Sequence, residues 1–176
     1  MAENRFADPR VANIVKQMAR KLQADIADMG KLRNGPPPKT FPQFRMIRDR
    51  HREIQGLLFS IQERLEDSGD LLPSNFGQWL VRQKLNELAF FTDISHAFIS
   101  DPPIALTHSL GAFDVLLSEQ ASFNEVLGYF DMMLFEAGID DKTADELDAT
   151  RTKIEATLAM LSTLLDQSPK VLQEFD

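Results

Sequence analysis

Between Pro42 and Asp67, the residues Phe44, Ile47, His51, Ile54, Leu58, Ile61 and Leu65 recur at alternating spacings of three and four. That period suits a helix carrying one apolar seam over three heptads, and no strand can satisfy it. His51 is the seam's only polar member. A second stripe precedes it: Val11, Ile14, Val15, Met18, Leu22, Ile26 and Met29. Asp8 is placed to cap that helix, with Pro9 at its first position. Gly30, then Asn34-Gly35 and Pro36-Pro37-Pro38, are expected to end it, because three prolines cannot continue a helix. The two stripes therefore predict an antiparallel hairpin over 8–67, joined by a stiff Pro-rich loop.

The rest of the chain also reads as helical. Ser68-Gly69-Asp70 stops the second helix, and Pro73-Ser74-Asn75 opens a third over about 75–99. Its apolar residues, Phe76, Trp79, Leu80, Val81, Leu85, Leu88, Phe90, Phe91, Ile94, Phe98 and Ile99, point nearly all round. A helix of that kind belongs at the centre of a bundle or in an interface. Asp101-Pro102-Pro103 starts a fourth helix, expected over 102–118. Ser122-Phe123-Asn124-Glu125 fits a capping box and predicts a fifth, ending near Ala137 with Gly138 beyond it. Asp140 or Asp141 caps a sixth, about 142–166, with Leu147, Arg151, Ile154, Leu158, Leu161 and Leu165 on one stripe. No period-two apolar alternation occurs, so no sheet is expected.

Charge is divided unevenly. Residues 1–64 hold 13 Lys and Arg against 7 Asp and Glu, while residues 65–176 hold 6 against 20. No Lys or Arg falls among the 57 residues between Lys84 and Lys142. Such asymmetry suits a charged partner, a head-to-tail contact between copies, or neutralisation of one half by the other within the fold. The N-terminus MAENRFADPR lacks the apolar core of a secretory signal, and no apolar run is long enough for a membrane span. There are no cysteines, which removes disulfides, thiolate nucleophiles and Cys-type zinc sites. A cytoplasmic protein without membrane contact is expected.

Sequence patterns for catalysis are lacking. No G-x-S-x-G, G-x-x-x-x-G-K or G-x-G-x-x-G occurs, nor H-E-x-x-H or an EF-hand loop. Asp93 and His96 could share one helical face, but a bundle metal site wants Glu-x-x-His pairs, and none exists. No metal, cofactor or catalytic residue is assigned.

Two groups of polar residues stand out. Arg45, Arg48 and Arg52 fall within a sector of about 60° beside the apolar seam, and Lys31, Arg33 and Lys39 adjoin them in the linker. Such a face could meet phosphates or dock on the acidic stretch 101–148. Asp25 and His51 both lie within apolar stripes, and the hairpin sets Asp25 level with Arg48 or His51. They are expected to form a buried interhelical pair that fixes register, unless both reach water at the stripe's edge.

The expected fold is all-α, a bundle of about six helices. A basic hairpin over 1–70 packs with an acidic helical bundle over 71–176 as one compact unit. The expected function is a non-catalytic assembly or adaptor subunit that binds a protein partner or further copies of itself. The first alternative is a nucleoprotein subunit touching phosphates through its Arg-rich face. The second is an enzyme or cofactor binder using Asp93, His96, Glu87 or His108.

Overall fold

The structure is a computed structural model that describes residues 7–133 and 139–169. Every element among these residues is helical, and the fold is an all-α bundle. α1 (Pro9–Asn34) and α2 (Phe41–Gln62) form the antiparallel hairpin. They are followed by α3 (Leu65–Ser68) and a 3-10 turn (Gly69–Leu71). Then come α4 (Phe76–Ser100), α5 (Ile104–His108), α6 (Ala112–Met133) and α7 (Asp141–Gln167). None of these helices is long and apolar enough to cross a membrane.

Local chemistry sets most helix starts. The Asp8 carboxylate accepts from the Arg10 N–H at 2.8 Å, with Pro9 beside it at the first helical position. Thr40 caps α2, again ahead of a proline, and Asp140 caps α7 by accepting from the Thr143 N–H at 2.7 Å. That bond holds the Asp140 carboxyl below its ordinary pKa. The open end of the hairpin is latched where the Asp8 N–H donates to the Asp67 carbonyl at 2.9 Å.

Four boundaries depart from the sequence reading. Gly30 does not end α1, which runs on to Asn34. A Cβ at Gly30 would lie 3.2 Å from the Phe90 ring, so the missing side chain lets α1 approach α4. The second helix stops at Gln62 instead of Asp67. Arg64 then folds back onto the Ser60 carbonyl, and Gly69, at φ +46°, completes the reversal. The expected helix over 102–118 divides at Ser109–Gly111, where Gly111 has φ +85°. From Ala112 onward α6 passes through Ser122 without a break, so the capping-box residues lie in mid-helix. Burial of Leu116, Phe123, Val126 and Phe130 along one face keeps the chain helical there. The expected end near Ala137 and Gly138 falls outside the described residues.

One continuous core draws on both halves of the chain. α4 packs against α1, α2 and α7, the central position its apolar surface predicted. α6 is carried on α7, while α2 is carried on α1 and α4. α2 and α6 therefore face each other across a slot that side chains bridge. At one end the slot is filled by stacked rings. Phe44 lies 4.5 Å from Phe98, centroid to centroid, and 6.3 Å from Phe123. All three are fully buried, and each ring pair contributes about 0.5–1.5 kcal/mol beyond its buried area.

Candidate functional site

The arginines beside the seam do not share one exposed face. Arg45 and Arg52 reach solvent, but Arg48 turns inward and forms a buried ion pair with Glu119 of α6. Burial, with Arg52 and Arg45 nearby, pulls the Arg48 pKa below its ordinary value, and Asp49 opposes that shift. The pair is incompletely satisfied. Arg48 Nε and Glu119 Oε2 make no hydrogen bond among the described residues.

The linker cations are similarly engaged. Lys31 bonds Asp28 at 2.8 Å, and Arg33 Nε lies 2.6 Å from Asp93 with its guanidinium over the Phe90 ring. Lys39 and Arg45 make no ion pair among the described residues. The opposite signs of the two halves thus meet partly inside the fold.

Asp25 and His51 are not partners. Asp25 pairs with Lys21 and with Arg50, the latter at 3.2 Å. Hairpin register does carry an ionic contact, but Arg50 supplies it, because the His51 ring turns towards α4. There its Nδ1 lies 2.5 Å from Glu87 Oε1, and the ring stacks on Phe91 at 4.0 Å between centroids. Gln55 Nε2 donates to the other Glu87 oxygen at 2.5 Å, so this completely buried carboxylate is bonded through both oxygens.

Glu87 and Glu119 were missed as partners, although a local signal existed. Glu87 sits among Leu80, Phe91 and Ile94, at separations of seven, four and seven. Glu119 sits likewise among Ala112, Leu116, Phe123 and Val126. A carboxylate at an apolar-stripe position must find a buried partner. Which partner it finds is fixed by packing across 36 and 71 residues.

Beyond the Arg48–Glu119 pair the slot is unfilled. Arg52 closes the pair's outer side by donating to Ser122 Oγ at 3.1 Å. Past it lies a cleft of about 420 Å³. α2 forms one wall with Gln55, Gly56, Leu58, Phe59 and Gln62. α6 forms the other with Glu125, Val126, Tyr129, Met132 and Met133, and Lys84, Leu88 and Phe91 of α4 lie between them. The pairs 48/119 and 52/122 advance together, so the two walls run in the same direction. The α2 wall from Arg48 to Gln62 spans about 21 Å at the helical rise. Phe59 and Met132 stand on opposite rims, 64% and 59% exposed.

No protein-family model matches the chain, and no curated protein or solved structure matches it significantly. The cleft must be read from its own chemistry.

That chemistry is mainly apolar, with Arg48, His51 and Arg52 at its polar end. Of the residues weighed for catalysis or metal binding, Glu87 is held behind the cleft by His51 and Gln55, and the other three are engaged elsewhere. Asp93 meets Arg33 and Lys153, His96 Nδ1 meets Thr157 Oγ1 at 3.2 Å, and His108 Nδ1 meets Thr107 Oγ1 at 2.6 Å. Among the described residues, no group of three or more His, Asp or Glu side chains is arranged to hold a metal ion.

Proposed function

We propose that this protein is a non-catalytic helical adaptor or assembly subunit acting through protein–protein contacts. The supporting observation is the open end of the α2–α6 slot. Two helices leave an apolar cleft between them and place Phe59 and Met132 on its rims, exposed to water. Paired exposure of large apolar groups around a concavity is characteristic of interaction surfaces. Covering the exposed part of either side chain would gain about 1–2 kcal/mol.

Phosphate contact draws less support from the geometry. Of the six basic residues weighed for it, Arg48 is buried against Glu119, and Lys31 and Arg33 already hold carboxylates. Lys39, Arg45 and Arg52 remain too few for the steep salt dependence of a backbone-binding face.

Size fractionation of the endogenous protein in extracts of its own cells tests the adaptor reading. The chain is expected to migrate above its 19.9 kDa. A Phe59→Ser/Met132→Ser variant is expected to return to that mass with an unchanged melting temperature. Migration of the wild type at the mass of the free chain would sink the reading, as would a complex indifferent to this double substitution.

A further inference from the structure

We propose that the floor of the cleft binds a single-chain aliphatic carboxylate, its head at Arg52 and its chain running towards Gln62. This goes beyond the adaptor reading, because the ligand lies beneath the rims and leaves Phe59 and Met132 to a partner.

Three observations carry it. The first is size and shape. The cleft volume of about 420 Å³ falls within the roughly 300–1,000 Å³ of small-molecule sites. Its floor is Leu58, Leu88, Phe91, Val126 and Met133, all buried. From Arg52 to Gln62 the α2 wall runs about 15 Å at the helical rise. An elongated apolar trough between two helices suits an extended hydrocarbon chain.

The second is charge. The whole chain has a net charge of −8, yet the cleft lining sets Arg48, Arg52 and Lys84 against one carboxylate, Glu125. Arg48 is answered by Glu119. Arg52 makes no ion pair among the described residues. Its bond to Ser122 Oγ, at 3.1 Å, engages one of five N–H groups with a neutral acceptor, so the charge is left unmatched. A carboxylate seated beside it can accept two parallel N–H bonds from the guanidinium, and the Ser122 hydroxyl can donate a third.

The third is where the remaining polar groups are committed. Gln55 and His51 both hold Glu87, and at the far end Lys84 Nζ donates to Gln62 Oε1 at 3.3 Å. The unmatched cation therefore stands at one end of the trough, which is the arrangement an amphiphile with a single charged head requires.

The test is calorimetric titration of the purified full chain, stripped of lipid, with sodium dodecanoate below its micelle concentration. One dodecanoate per chain is expected. Dodecyltrimethylammonium, with the same chain and the opposite head charge, should bind at least about tenfold more weakly. Octanoate should also bind at least about tenfold more weakly, because it leaves part of the floor uncovered. Arg52→Gln should weaken dodecanoate about tenfold or more. Glu125→Gln removes the carboxylate of the lining and should tighten it about twofold or more. Gly56→Leu adds a side chain on the lining where nothing lies within 4 Å of the Cβ. It should block dodecanoate while raising the melting temperature, since a mid-helix glycine is removed.

Absence of saturable dodecanoate binding overturns the proposal. So does equal uptake of the ammonium amphiphile, or uptake that either Arg52→Gln or Gly56→Leu leaves unchanged, which is how a detergent adsorbs on exposed apolar surface. The adaptor reading stands or falls separately, on the mass of the protein in extracts.

Discussion

The two ends of the slot between α2 and α6 face the same structural problem and solve it differently. At the sealed end, Phe44, Phe98 and Phe123 fill the space, and Arg48 reaches across to Glu119. At the open end the same two helices present Gly56, Phe59, Tyr129 and Met132 to a cleft of about 420 Å³. The chain had large side chains available to fill it. Phe59 and Met132 are of the right size, yet they stand on the rims, more than half exposed. Filling the sealed end serves folding, and the open end is where the proposed partner would bind.

The comparison can be broken or sharpened by substitution. The largest effect is expected from Glu119→Ala, which strands the Arg48 charge in the interior. Urea denaturation should show a loss of about 3–5 kcal/mol. The paired replacement Arg48→Met/Glu119→Leu should come within about 1 kcal/mol of the wild type or exceed it. A small cost for Glu119→Ala would mean that water reaches the pair and that the end is not sealed.

Phe44→Ala should cost about 3–5 kcal/mol, since the ring is fully buried among three others. At the open end the sign reverses. Gly56→Ala should stabilise the free chain by about 0.5–1 kcal/mol, because the added methyl meets nothing and removes a mid-helix glycine. The same methyl should weaken association, a trade between stability and binding. Phe59→Ser should shift monomer stability by no more than about 0.5 kcal/mol. A larger loss would show that Phe59 belongs to the fold and that the cleft is less open than its geometry indicates.

Much of this architecture was legible in the sequence. The seam from Phe44 to Ile61 and the caps at Asp8 and Asp140 gave α1, α2 and α7 to within a few residues. The nearly all-round apolar surface of α4 placed it centrally. The misread join lay between α5 and α6, where two local signals compete. Ser122-x-x-Glu125 has the composition of a cap, but Phe123 and Val126 are held by the core, so the helix does not restart there. The real break, at Gly111, carries a weaker pattern.

The polar interior was half legible. Asp25 and His51 were marked as misplaced in their stripes, and each does have a partner. The long-range partners, Arg50 for Asp25 and Glu87 for His51, depend on which side of each helix faces which neighbour. A sequence states that a buried carboxylate must be satisfied. It takes three-dimensional packing to decide which residue satisfies it.

The chain has one tryptophan and one tyrosine, and the fold puts them in different places. Trp79 lies against Phe76, the two rings tilted with centroids 5.1 Å apart, and beside Ala19, Arg20 and Gln23 of α1. Tyr129 lies in the cleft wall. Indole emission therefore reports the seating of the first helix on the fourth, whereas the phenol senses the surroundings of the slot. The protein carries two native optical probes, each confined to one region, so unfolding and occupancy can be followed separately in one sample without a label.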